Sequence, residues 1–182
     1  MWEEVDLSKM NDPQERMIAR SVILTLLSRP ENEQAEVEIE YHVAGNLTQL
    51  GVGDIRIVTH DRIIVIETKH IDFSNTGKTA TTKRTKHRKK VREQCLTYVA
   101  WNRINRYSQG KRVIGMTATN ENGLELIVDD MSFDDARARV IDALEKTGQP
   151  HVWGDMIAYL EQHTEEQREQ HACRSWPPHS LP

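Results

Sequence analysis

Asp54, Glu67 and Lys69 carry the chemistry that the 182-residue chain suggests most directly. They lie within residues 53–70, GDIRIVTHDRIIVIETKH, a pattern that predicts a β-hairpin turning at His60-Asp61. Strand alternation puts Glu67 and Lys69 on one face. A turn centred on His60-Asp61 sets Asp54 opposite Glu67, with Cβ atoms roughly 5 Å apart. Two facing carboxylates repel and ordinarily destabilise a sheet. A divalent cation between them reverses that, because hard cations such as Mg²⁺ prefer carboxylate oxygens. A lysine on the same face could position or polarise a water or a phosphate. The trio predicts a metal-dependent phosphodiesterase site.

The flanking sequence supplies the elements that must hold this hairpin. A helix is expected over 11–28, capped by Asp12 with Pro13 at its first position. Met17, Ile18, Val22, Leu24, Leu26 and Leu27 supply its expected buried side. Residues 31–34 read as a loop, and 35–43 alternate as a half-exposed strand with Val37, Ile39, Tyr41 and Val43 on one face. Residues 44–52 connect it to the hairpin, whose strands are expected near 53–58 and 63–69. Ile55, Ile57, Ile64 and Ile66 lie on the face away from the carboxylates, and Val58, Ile63 and Val65 on the carboxylate side. Apolar residues on both faces predict a central strand pair covered by helices. Residues 71–85 read as a mobile polar loop and 86–107 as a long helix closed near 108–110. Residues 111–120 and 124–130 form a second expected hairpin around Glu121-Asn122-Gly123, followed by a helix from Ser132 to Lys146 and a short one near 151–163.

Composition narrows the class. The length suits one domain, expected over 1–163, with a polar tail over 164–182. A net charge of −4 argues against a generic polyanion binder. No apolar run is long enough for a transmembrane helix, so no membrane partner is expected, and the acidic start MWEEVDLSKM is unlike a secretory signal. Cys95 and Cys173 make no disulfide framework, which predicts a reducing, intracellular setting: the cytoplasm, or the nucleus in a eukaryotic host.

The order helix, strand, hairpin bearing D…ExK, helix, strand resembles the core of the PD-(D/E)XK nuclease superfamily. Asp54 followed by Glu67-Thr68-Lys69 matches its signature, and Gln94-Cys95-Leu96-Thr97-Tyr98 resembles the QxxxY motif of the branch with bacterial recombination nucleases and phage-type exonucleases. Gly53 stands where the family name has proline. The match covers roughly residues 12–130. The resemblance implies a restriction-endonuclease-like, three-layer α/β/α fold with a mixed central sheet. It also implies metal-dependent hydrolysis of phosphodiester bonds, with DNA the expected substrate. Asp54, Glu67 and the Thr68 carbonyl would hold one or two Mg²⁺ or Mn²⁺ ions, and Lys69 would stabilise charge or orient the attacking water. Gln94 and Tyr98, on one helical face at (i, i+4), would contact the nucleic-acid backbone or a metal-bound water. Glu15 is the best-placed third acid, with Glu38 and Glu40 as rivals. Many such nucleases dimerise to cut both strands, so a homodimer is compatible with the resemblance.

A basic segment is the second signal. From Phe73 to Arg92 there are eight cations (Lys78, Lys83, Arg84, Lys86, Arg88, Lys89, Lys90 and Arg92) and no acid. Such a cluster beside the site gives salt-sensitive, sequence-independent affinity for phosphates. Gly77, Thr79, Thr81 and Thr82 would let the preceding loop adapt to the backbone. The run 83–90 also resembles a nuclear localisation signal. Other candidates are bland: His171, Cys173 and His179 lack paired zinc spacing, and Tyr98, Trp101 and Tyr107 fit helix packing better than base stacking. Cys95 reads as a buried small residue, and His60 and Asp61 as turn residues. The rival function is a catalytically inactive nucleic-acid-binding or assembly module on the same fold. A third reading, an interaction protein using the basic segment, leaves Asp54 and Glu67 unexplained.

Overall fold

Asp12 starts the first helix as its cap: its carboxylate accepts the N–H groups of Gln14 and Glu15, and Pro13 occupies the first helical position. The computed structural model describes residues 5–42, 51–105, 108, 110–148 and 150–162. Along the chain come α1 (Pro13–Leu27), a 3₁₀ turn (Pro30–Asn32), β1 (Glu36–His42), β2 (Val52–Val58) and β3 (Arg62–Lys69). These are followed by α2 (Lys78–Ile104), β4 (Arg112–Thr119), β5 (Gly123–Val128), α3 (Phe133–Lys146) and α4 (Pro150–Gln162). The five strands form one mixed sheet in the order β1-β2-β3-β4-β5. All neighbours are antiparallel except β3 and β4, which are parallel and joined by the crossover helix α2.

Apolar residues on both faces of the central strands dictate a helical cover on each side. On one face, Ala19, Val22, Ile23 and Leu26 of α1 pack against Ile39, Ile55, Ile57, Ile64 and Ile66. On the other, Ile63 and Val65 meet Cys95, Tyr98 and Val99 of α2, backed by Phe133 and Leu144 of α3 and Trp153 of α4. Six consecutive residues of β3, Ile63 to Thr68, are buried, as a central strand requires. Gly115 of β4 lets α2 approach: a Cβ there would lie 2.6 Å from Val99 Cγ2.

The β2–β3 hairpin has the predicted register. Ile55 pairs with Ile66, Ile57 with Ile64 and Val58 with Ile63, and the Thr59 N–H closes the turn on the Arg62 carbonyl at 2.9 Å. The second hairpin, α3 with its Ser132 cap and α4 also lie where the sequence predicts them.

Four expectations change. Met17 and Leu24 are exposed at 69% and 62%. They lie seven residues apart on one stripe, while 19, 22, 23, 26 and 27 form the buried one. α2 begins at Lys78 rather than 86, so most of the expected loop is helix. Its threonines satisfy their hydroxyls within the helix: Thr81 donates to the Gly77 carbonyl, Thr82 to Lys78 and Thr85 to Thr81. Gly77 is the N-cap, at φ +97°, and the threonines are therefore not an adaptable loop. α2 ends at Ile104, and Tyr107 lies outside the described residues. Finally, β1 does not keep one apolar face. Ile39 packs with α1 but Tyr41 joins the α2-side core, because Glu40 between them has φ +49°. Val43 and the tail candidates His171, Cys173 and His179 lie outside the described residues.

Candidate functional site

The open end of the β2–β3 hairpin brings Asp54 and Glu67 together. The Asp54 N–H donates to Glu67 Oε1 at 3.3 Å, one residue beyond the Ile55–Ile66 pair. Glu67 is 2% exposed. Asp54 is steadied by Thr68, whose N–H and hydroxyl both donate to Oδ2, at 2.7 and 2.8 Å. Among the described residues, Asp54 Oδ1 and Glu67 Oε2 accept no hydrogen bond.

Burial sets the electrostatics, and the nearby Lys69 ammonium offsets it only in part at Asp54. Desolvation raises the Asp54 carboxyl above the usual range despite the two bonds from Thr68, and raises Glu67 much further, with the Asp54 charge adding to it. The charge of Glu67 reaches neighbouring groups. Tyr98 is pushed up to about 12, first by burial and then by Glu67, and Cys95 likewise to about 12.

Glu15 and Lys69 complete the cluster. Lys69 lies at the end of β3, and its ammonium donates to Glu15 Oε1 on the first turn of α1. This bond is the main reason the lysine is held above its ordinary value. Glu15 lies close enough to raise Asp54 and Glu67 further. Among the rival acids, Glu38 pairs with Arg56, and Glu40 is the positive-φ residue of β1. From α2, Gln94 Nε2 donates to the Tyr98 hydroxyl at 3.1 Å, as their (i, i+4) spacing predicts. The residues singled out on the hairpin, α1 and the centre of α2 therefore converge.

The basic residues divide. Arg84 donates to the Asn75 carbonyl and lies 5.2 Å over the Phe73 ring, and Arg88 clasps Glu121. Lys78, Lys83, Lys86, Lys89, Lys90 and Arg92 are exposed on α2.

The donor set suits a hard divalent cation in part. Asp54 and Glu67 offer carboxylate oxygens that accept nothing else, and a cation would offset their desolvation. No three His, Cys, Asp or Glu side chains among the described residues are already gathered as a complete ligand set. Glu15 Oε1 is engaged by Lys69.

Several residues that build the site escape sequence reasoning. Thr68, expected from the sequence only for its carbonyl, is also a double donor to Asp54 through its N–H and hydroxyl. Gly53 is registered opposite Tyr41, and a Cβ there would lie 2.4 Å from the Tyr41 ring. Any side chain at this position, proline included, would displace that ring. Gly51, at φ +103°, leaves room for the Tyr98 hydroxyl, 2.3 Å from where its Cβ would be. Arg56 lies 4.6 Å over the Tyr41 ring and donates to Asn102, whose amide in turn donates to the Tyr98 carbonyl. These contacts join residues far apart in sequence, so no local pattern announces them. Comparison of the chain with protein-family models, with characterised proteins and with solved structures finds no match, and the geometry alone carries the functional reading.

Proposed function

We propose that the protein is a metal-dependent nuclease of the restriction-endonuclease-like PD-(D/E)XK type, acting on DNA. One observation carries this reading: the half-buried Asp54 and the buried Glu67 are held together, with their carboxyls both raised, beside an ammonium and a glutamine–tyrosine pair. Ionising both members of such a pair costs stability unless a cation offsets it. The order α1, β1, β2, β3, α2, β4 and the parallel β3–β4 pair support the fold assignment.

Asp54 and Glu67 would hold Mg²⁺ or Mn²⁺, with Glu15 as the third acid. A bound ion of this kind lowers the pKa of water and neutralises charge developing on a phosphate. Thr68 fixes the Asp54 carboxylate through two donors, so one oxygen stays presented. Lys69, held above its ordinary value by Glu15, keeps its charge and would supply it to the phosphate. Gln94 and Tyr98 supply hydrogen bonds to the substrate backbone from a helix fixed against the sheet. Burial raises the Tyr98 hydroxyl, which favours its protonated, hydrogen-bond-donating form.

The test is incubation with supercoiled, linear and single-stranded DNA and with RNA, in Mg²⁺, in Mn²⁺ or in chelator. Cleavage is expected only with metal, and Lys69→Ala should reduce it by about 100-fold or more. Binding without cleavage under every condition would instead support the inactive module.

A further inference from the structure

The cations of α2 are not equivalent, and their positions around the helix sort them. Arg84 and Arg88 are committed to Asn75, Phe73 and Glu121. Lys83, His87 and Lys90 make no hydrogen bond or ion pair among the described residues. At about 100° per residue, 83, 87 and 90 all fall within about 40° of Gln94, and Tyr98 continues the same row. Lys78, Lys89 and Arg92 lie roughly 140–160° away, and Lys86 lies about 80° to the flank. The row runs roughly 16 Å from Lys83 to Gln94. It ends at the Tyr98 hydroxyl, which receives Gln94 Nε2 and feels the charge of Glu67.

We infer that Lys83, His87 and Lys90 form a track for the phosphodiester backbone of one nucleic-acid strand, leading it to the acid cluster. The inference rests on the nuclease reading and narrows it. Buried acids repel an approaching phosphate, and a line of donors about one turn apart offsets this and sets the direction of the strand. Contacts of this kind go to the backbone and read no sequence. Lys78, Lys89 and Arg92, facing the other way, contribute only diffuse potential.

Fluorescence anisotropy with short labelled single-stranded and duplex DNA, in chelator and over a salt series, separates the two sets. The double variant Lys83→Ala/Lys90→Ala should bind about 10-fold more weakly and lower the salt slope by about two, while His87→Ala should weaken binding a few-fold. The control Lys89→Ala/Arg92→Ala should change affinity less than about twofold with little change in slope. Equal losses from both double variants, or no binding by the parent, would overturn the track. Parallel cleavage assays in Mg²⁺ keep the two readings apart. A parent that binds through the row without cutting removes the nuclease and keeps the track. Undiminished cutting and binding by Lys83→Ala/Lys90→Ala removes the track and keeps the nuclease.

Discussion

The β2–β3 hairpin has an aspartate at each end, and the two have opposite environments. At the turn, Asp61 is partly exposed, accepts the Thr59 hydroxyl at 2.8 Å and pairs with Arg62 at 2.8 Å. These bonds hold its carboxyl far below the usual range. At the open end, Asp54 is desolvated, faces Glu67 and is raised. Asp61 is satisfied by what the chain provides, whereas Asp54 and Glu67 each keep a carboxyl oxygen that accepts no hydrogen bond among the described residues. A carboxylate partnered within the chain has a structural role that explains it. An opposed pair, one member buried and one half-buried, whose burial favours the neutral form is the arrangement that a divalent cation would explain.

The contrast can be broken most forcefully by neutralising Glu67. Glu67→Gln should abolish metal-dependent cleavage, by about 100-fold or more, yet leave the metal-free fold as stable as the parent or more so, because it removes a carboxyl whose ionisation burial opposes. Thermal unfolding and cleavage measured on one preparation check both halves. Asp61→Asn should do the reverse, leaving cleavage intact and lowering stability slightly.

Added metal sharpens the comparison next. Mn²⁺ at 100 times its dissociation constant should stabilise the parent by about 2.7 kcal/mol. The same addition should leave Asp54→Asn/Glu67→Gln unmoved in a thermal scan. Without metal, the two ends respond oppositely to pH. Asp54 and Glu67 have folded pKa values above their unfolded ones. Their contribution is therefore fully present below the unfolded carboxylate range and is lost as pH rises through the folded values. Asp61 is depressed on folding. Its contribution is present above the unfolded aspartate pKa and disappears as pH falls towards the folded one. Unfolding of each variant over a series from acid to neutral pH reads the two slopes.

A smaller effect belongs to the support of Asp54. Thr68→Val removes the hydroxyl donor while keeping the shape, and should weaken metal binding about 10-fold. Gly53→Ala, which pushes on the Tyr41 ring, should cost about 1–3 kcal/mol in denaturant unfolding.

Much of this was legible in the sequence where the signal is periodic and local. The turn at His60-Asp61 fixes the hairpin register, and the register brings Asp54 to Glu67; the Gln94–Tyr98 spacing brings that pair together on one helical row. What local pattern could not show was decided by tertiary contact. The threonine-rich start of α2 reads as loop by propensity, but its hydroxyls bond to carbonyls four residues back and Arg84 ties the helix to Asn75 and Phe73. Met17 and Leu24 are apolar yet exposed, so the α1 stripe was legible only once the sheet chose a face. The shift of Tyr41 to the α2 side depends on one left-handed residue, Glu40, which nothing in an alternating strand pattern announces.

The proposed metal site stands or falls on whether Asp54 and Glu67 together bind a divalent cation. Isothermal titration of Mn²⁺ at neutral pH, in two buffers of different ionisation enthalpy, tests it directly. Binding by the parent and its loss in Glu67→Gln are expected, with protons held by the raised carboxyls displaced as the ion coordinates and more of them released as the pH is lowered. No binding by the parent, or equal binding and proton release by Glu67→Gln, would contradict it.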